Sequence, residues 1–147
     1  MIIVAGGTGF IGKAITRELL RRGLQGAVLS HSLRSAQLAL PEGSVEVRRA
    51  DVQDAAALRL ALTGADMVIG AVQFEGFPSE NPRKGLTFEN VDHQGTENLV
   101  AASLQQGVSR YVYLSGAGAA PNARQVWFRA KWGAETAVRQ SGMAYVI

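Results

Sequence analysis

A chain of 147 residues, 47% of them hydrophobic, is sized for one domain with a useful core. It has no cysteine, which excludes disulfide and thiolate chemistry and suits a reducing, cytoplasmic setting. Its net charge of +3 is dispersed over Arg21-Arg22, Arg48-Arg49 and Arg83-Lys84, a pattern of solvated faces and an anionic ligand rather than nucleic acid.

The chain opens directly on an apolar, β-branched run, Ile2–Ala5, which leaves no room for a signal peptide. No apolar run approaches the roughly 18 residues of a membrane span. Ile2–Ala5 reads as a buried parallel strand and leads into Gly6-Gly7-Thr8-Gly9-Phe10-Ile11-Gly12, glycines spaced G-x-x-G-x-x-G. A helical pattern, Gly9–Arg22, follows at once. A strand turning sharply onto a helix N-terminus is the layout that holds a dinucleotide pyrophosphate. Gly6 permits the turn, Gly9 lets backbone approach phosphate, and Gly12 lets helix pack closely on strand. The amides around Phe10 and Ile11 lack intrahelical acceptors and can face the anion. A ligand-free tight turn is the competing reading, and the flanking strand and helix favour phosphate.

A second strand, Ala27–Ser30, ends at Ser30-His31-Ser32, with Arg34 just beyond. A carboxylate about 20 residues past the glycines would bind both ribose hydroxyls of NAD. No Asp or Glu occurs from Leu19 to Pro41. Hydroxyl, imidazole and guanidinium donors stand there instead, so NADP fits better than NAD. The alternative is an exposed Arg34 at a helix start and a ribose bound through water.

A helical pattern over about Leu33–Leu40, a strand Val45–Arg49, a helix Ala55–Leu62 and a strand Met67–Ala71 come next. Ala71, Val72 and Gln73 end that fourth strand, where small residues let a cofactor lie against backbone or simply pack. The loop Gln73–Gly85 carries two prolines, two glycines and four charged residues, and is either a surface loop or a substrate lid. A helix Leu86–Gln106, a strand Arg110–Leu114, a helix over about Ala123–Ser141 and a strand Met143–Ile147 complete the pattern. Repeated β-α-β alternation gives an α/β fold with a doubly wound parallel sheet, strand order 3-2-1-4-5-6. Trp127, Phe128 and Trp132 at helical spacing read as core or as the face of a homo-oligomer, with a substrate shelf as the alternative. His93 reads as a surface residue, and no His, Cys and carboxylate cluster has metal spacing.

Several segments together resemble one family. They are the Gly6–Gly12 turn, Ala50-Asp51-Val52-Gln53-Asp54, Asn90-Val91-Asp92-His93-Gln94-Gly95-Thr96-Glu97-Asn98-Leu99, Tyr111-Val112-Tyr113-Leu114-Ser115 and Lys131-Trp132-Gly133-Ala134-Glu135. In order and spacing they resemble the short-chain dehydrogenase/reductase superfamily, in its extended and atypical branches. Those branches hold NAD-dependent epimerases and dehydratases, NAD(P)H-binding regulators and a respiratory complex I accessory subunit. The resemblance covers the whole chain and implies one NAD(P)-binding Rossmann domain over residues 1–147. It also implies a missing part: family members usually continue past the sixth strand into a substrate-binding region, so this chain reads as a truncation or fragment.

The resemblance implies an adenine contact at Asp51, with Val52 offering a backbone N–H. Capping is the alternative for Asp51, and Asp54 is the expected cap of the helix from Ala55. It implies that Lys131 holds the nicotinamide ribose, against a plain surface charge. Asn90 matches a family Asn that bends a helix and carries a proton-relay water, against a helix cap.

The hydride-transferring members use a Tyr acid, a Lys four residues later and a Ser or Thr for the substrate oxygen. Here Trp127 stands four residues before Lys131, and indole has no proton of useful pKa. The family hydroxyl falls at about Gly116, beside Ser115. The expectation is a dinucleotide-binding protein without Tyr-based catalysis, in a sensing or assembly role. The alternative is an NADPH-dependent reductase or sugar-epimerase-like oxidoreductase acting on an unknown small molecule or quinone, with Lys131, Ser115 and Asn90 as its candidate catalytic residues.

Overall fold

The computed structural model describes residues 1–34, 36, 40, 45–74 and 76–147. In chain order the elements are β1 (Ile2–Ala5), α1 (Phe10–Arg21), β2 (Gly26–Ser30), β3 (Glu46–Arg49), α2 (Ala55–Ala61) and β4 (Met67–Gly70). A 3-10 turn (Pro82–Lys84), a π-helical segment (Phe88–Gln94), α3 (Gly95–Gln105), β5 (Arg110–Tyr113), α4 (Val126–Gln140) and β6 (Ala144–Val146) follow. The helix expected over about Leu33–Leu40 lies partly outside the described residues.

The six strands form one sheet in the order β3-β2-β1-β4-β5-β6, every pairing parallel, as the alternation predicts. Ile3 pairs with Ala27 on one side and Val68 on the other. Consecutive residues of the central strands are buried, including Ile3, Val4 and Ala5 of β1 and Ala27, Val28 and Leu29 of β2. That is the signature of a sheet covered on both faces. The edges are polar or open. In β3, Arg48 pairs with Glu46 at 2.7 Å and donates to the carbonyls of Ala61 and Thr63 at 2.9 and 2.7 Å. All three residues of β6 are exposed.

The stretch expected as one helix, Leu86–Gln106, is two kinds of helix in series. Thr87 caps the N-terminus, its hydroxyl accepting from the Asn90 amide at 3.0 Å, while Glu80 accepts from the Phe88 amide at 2.7 Å. The backbone runs as a π-helix from Phe88 to Gln94 and becomes α-helical at Gly95. A Cβ on Gly95 would meet Val52 Cγ2 at 2.6 Å, so glycine is what lets this helix press against the loop after β3. Asn98 then ties the two together, donating to the Val52 carbonyl at 2.9 Å. The wide π turns also carry Phe88, Val91 and Asp92 to the inside, against α4. Such departures from α-helix recur at functional sites.

Candidate functional site

A cleft of about 800 Å³ runs across the carboxyl ends of β1, β2, β4 and β5, large enough for a dinucleotide-sized ligand. Its floor is the glycine turn. Gly6 has φ +77°, and a Cβ there would collide with the Ala71 carbonyl. A Cβ on Gly12 would collide with the Gly6 carbonyl, so α1 lies directly against the strand end. Gly9 differs: a Cβ there would meet only the Gly6 carbonyl oxygen, at 3.3 Å, among the described atoms within 4 Å. Its N–H donates to that oxygen at 3.0 Å, and no side chain caps α1. The amides of Phe10 and Ile11 therefore have neither an intrahelical acceptor nor a capping side chain. Thr8, Gly9, Phe10 and Ile11 all line the cleft, and Phe10 is 91% exposed. A floor of open backbone donors at a helix N-terminus fits a pyrophosphate.

At the end beside β2 and β3 the wall is built from Ser30, His31, Asp51, Val52 and Gln53. The buried Ser30 hydroxyl closes the strand end on itself, donating to the Ser32 carbonyl at 3.0 Å and accepting from its amide at 3.3 Å. It shapes the turn at the strand end. Arg34 is exposed and is not among the residues lining the cleft. Asp51 lines the cleft with one carboxylate oxygen accepting from the Gln53 amide at 2.9 Å. Asp54 is the helix cap that the sequence suggests, accepting from the Ala56 and Ala57 amides at 3.1 and 3.0 Å. Ala71, Val72 and Gln73 lie beneath, and the Ala71 amide continues the ladder to Ala5.

The far end is apolar and aromatic. Phe74 and Phe77 from the loop after β4 face into the cleft and stack edge-on with Phe88, at 5.0 and 6.0 Å between ring centroids. Phe77 also meets Trp127 at 5.7 Å, and Trp127 meets Phe128 at 4.9 Å. The loop is fastened by a bridge between Asn81 and Leu86 and by Glu80, so it serves as a wall of the cleft. Trp127 thus lines the cleft.

Lys131 lines this end, and Asp92 meets it there. The Lys131 ammonium is 3.0 Å from Asp92 Oδ1 and 5.4 Å from the centroid of the Tyr113 ring. Asp92 is wholly buried and Lys131 nearly so. Burial raises the Asp92 carboxyl above its ordinary range, while Lys131 and the Trp127 indole N–H favour the charged form and Glu80 opposes it. Burial likewise pushes the Tyr113 hydroxyl far up, with Asp92 adding to the effect, which removes Tyr113 as an acid near neutrality. Ser115 also lines the cleft, but its hydroxyl donates to the buried Glu135 at 2.5 Å, and Glu135 is held in turn by Arg139 at 2.8 Å. Asn90 is turned elsewhere: its amide donates to the Gly85 carbonyl at 3.4 Å, and it is not among the residues lining the cleft. His93 spans two carboxylates of its own helix, Glu89 at 2.9 Å and Glu97 at 3.2 Å, and lies against Gly133.

Of the three candidate catalytic residues, the fold brings Lys131 and Ser115 to the cleft and leaves Asn90 outside. Asp92 escaped the sequence reading. Its signal was an acidic residue among the helically spaced apolar positions Phe88, Val91 and Leu99.

Residues 6–147 match a protein-family model described as NAD(P)H-binding. The photosystem II assembly factor Ycf39 of Synechocystis is 31% identical over 114 residues, 78% of this chain and 33% of that protein. A 2-alkyl-3-oxoalkanoate reductase of Stenotrophomonas maltophilia is 32% identical over 120 residues, 78% of this chain and 32% of that enzyme. Among solved structures, UDP-glucose 4-epimerase of Thermus thermophilus in complex with NAD superposes with a TM-score of 0.82 at 25% identity, covering 98% of this chain and 52% of that one. The Escherichia coli NADPH-dependent quinone oxidoreductase complexed with NADPH gives a TM-score of 0.75 at 22% identity, over 99% and 47% of the two chains, a likeness of fold. The chain spans about a third of the length of these curated relatives and about half of these solved chains.

Proposed function

Since the chain belongs to the NAD(P)H-binding family, within the short-chain dehydrogenase/reductase superfamily, we propose that it holds the dinucleotide without the family's Tyr-based chemistry and works in nucleotide sensing or assembly. The observation that carries this reading is Trp127. It occupies the position four residues before Lys131, and its indole is packed between Phe77 and Phe128. Among the described residues there, no hydroxyl is placed as the family's Tyr is: Trp127 is not an acid, Tyr113 is buried, and Ser115 is bound to Glu135.

Binding would run from Asp51 at the adenine, over Gly9, Phe10 and Ile11 at the pyrophosphate, to Lys131 at the nicotinamide ribose. NADP is the favoured form, on account of the acid-free stretch after β2 with Arg34, His31 and Ser32 at its end. The bound dinucleotide would supply hydride, and the chain's own residues bind, orient and screen it. Isothermal titration with NADPH and NADH, followed by a turnover assay on the same samples, tests the reading. Tight binding without turnover supports it; absence of binding overturns it.

A reductase is the second reading, favoured by the aromatic end of the cleft. Phe77 and Leu114 remain partly exposed there, a surface suited to a flat apolar acceptor such as a quinone. The 2-alkyl-3-oxoalkanoate reductase named above fits it as well.

A further inference from the structure

The lysine that the family resemblance singles out does not stand alone in the wall of the cleft. Asp92 projects from the π-helical segment, 0% exposed, with Oδ1 3.0 Å from Lys131 Nζ. Neither carboxylate oxygen has a well-formed hydrogen bond among the described residues, and the buried Trp127 indole nitrogen also lacks one. Lys131 is therefore the main compensation for a fully buried carboxylate.

A buried ion pair is a poor device for stability alone, because apolar residues of similar volume usually serve as well or better. It is a good device for fixing a side chain. Lys131 has a flexible four-carbon stem, and an ammonium on such a stem samples many positions unless something holds it. The local geometry is built to hold it. The wide π turn brings Asp92 inward, α4 brings Trp127 and Lys131 to one face, and the Tyr113 ring closes the third side at 5.4 Å. The carboxylate sits on the protein side of the ammonium, so the other side of Nζ is left to the cleft that Lys131 lines.

We propose that Asp92 is a positioning residue, fixing the ammonium of Lys131 where it meets the half of the dinucleotide beyond the pyrophosphate. It rests on the reading of the cleft as a dinucleotide site. It makes a selective demand: loss of Asp92 weakens ligands that reach the nicotinamide ribose and spares ligands that end before it.

The test is calorimetric titration of the protein with NADPH and with adenosine 2′,5′-bisphosphate, which lacks the nicotinamide half. Wild type, Asp92→Asn, Lys131→Met and the double variant are compared. One charge-assisted contact corresponds to about a tenfold change in affinity. Each single variant should lose about that much for NADPH and keep wild-type affinity for the bisphosphate. The double variant should bind NADPH no more weakly than Lys131→Met, since Asp92 acts through Lys131. If Asp92→Asn does not fold, the double variant, free of the unpaired charge, is compared with Lys131→Met alone, and equal affinities support the proposal. It is overturned if Asp92→Asn binds NADPH as wild type does, if both ligands weaken together, or if the double variant loses more than Lys131→Met. A wild-type protein that binds neither ligand overturns the dinucleotide reading itself, a result distinct from all of these.

Discussion

The amide of Gly9 donates to the carbonyl of Gly6 at 3.0 Å, and a Cβ on Gly9 would meet that oxygen at 3.3 Å and no other described atom within 4 Å. Gly9 is therefore a glycine the fold needs far less than Gly6 or Gly12, where a Cβ would collide with a backbone oxygen. In the proposed phosphate site the ligand would need it, because a branched side chain there would occupy the space above the helix N-terminus. Gly9→Val should abolish NADPH binding by titration and leave the melting temperature within a few degrees of wild type. Gly12→Ala is the counter-case. Its Cβ would collide with the Gly6 carbonyl and lie 2.7 Å from Gly7 Cα, so stability falls first. Gly9→Val binding NADPH as tightly as wild type would remove the proposed phosphate site.

Selectivity between the two dinucleotides should rest on the residues after β2. A contact from Arg34 to a 2′-phosphate is worth roughly 1.5–3 kcal/mol, or about 10- to 150-fold in affinity. NADPH is expected to bind more tightly than NADH by a ratio in that range, and Arg34→Ala to shrink the ratio. Ser30→Ala should act differently, loosening the turn that Ser30 closes on Ser32. Equal affinities for the two cofactors in the unmodified protein would contradict the assignment.

Asp51 and Asp54 lie three residues apart and should separate cleanly. Asp54 accepts two amides at the start of α2, so Asp54→Ala should cost about 1 kcal/mol. In a chain of this size that is about 2–4 °C in thermal melting, with NADPH affinity unchanged. Asp51→Ala gives up one exposed hydrogen bond from the Gln53 amide, so it should move the melt less than Asp54→Ala and should weaken adenine nucleotides. A larger loss of stability in Asp51→Ala than in Asp54→Ala, with unchanged binding, would exchange the two roles.

These cases mark what was legible in the residues. The β-branched runs before Gly6 and around Val68 read directly as buried parallel strands, because a sheet covered on both faces leaves no polar alternation to misread. The glycine spacing located the cleft for a similar local reason, and Asp54 its cap. What escaped depends on contacts distant in sequence. Asp92 is informative only beside Lys131, 39 residues further on. The π-helical segment is invisible to a 3.6-residue periodicity, since one wider turn shifts every later position. Ser115 was recognisable as a hydroxyl near the site, but its commitment to Glu135 required α4 to be in place. Asn90 matched a family position, yet its amide is spent on the Gly85 carbonyl.

The pH dependence of stability should carry the mark of Asp92. Its folded carboxyl titrates above the ordinary value of 3.8, so between that value and the folded one the native state binds the extra proton. Stability from this group is full below about pH 3.8 and is lost as pH rises through the folded pKa. Glu18 has the opposite sign: Arg21 and Arg22 hold it down at about 2, so its contribution is present above the ordinary carboxyl range and lost as pH falls toward 2. Urea unfolding of wild type and Asp92→Asn from pH 3 to pH 8 isolates the first effect, because Glu18 is common to both. Wild type should lose stability relative to the variant as pH rises. A difference that stays flat would mean that Asp92 is not desolvated as the structure has it.

Ordinary aldehydes and ketones should not be reduced by NADPH on this chain. A carbonyl that accepts hydride needs its developing alkoxide protonated, and general acid catalysis typically supplies roughly 10²–10⁴ in rate. Trp127 has no such proton, and Gly116, at about the position where the family resemblance places the catalytic hydroxyl, offers none. A side chain at Gly116 would have its Cβ 3.1 Å from the Trp127 ring, so the indole itself crowds that position. Quinone-like acceptors are the exception, since they take hydride with less assistance and suit the aromatic wall of Phe74, Phe77 and Trp127. The check is a spectrophotometric screen for NADPH oxidation with simple ketones and with quinones, in wild type and Lys131→Ala. Steady ketone turnover that survives Lys131→Ala would overturn the reading of the site. Ketone turnover lost in that variant would instead favour the reductase reading of the cleft.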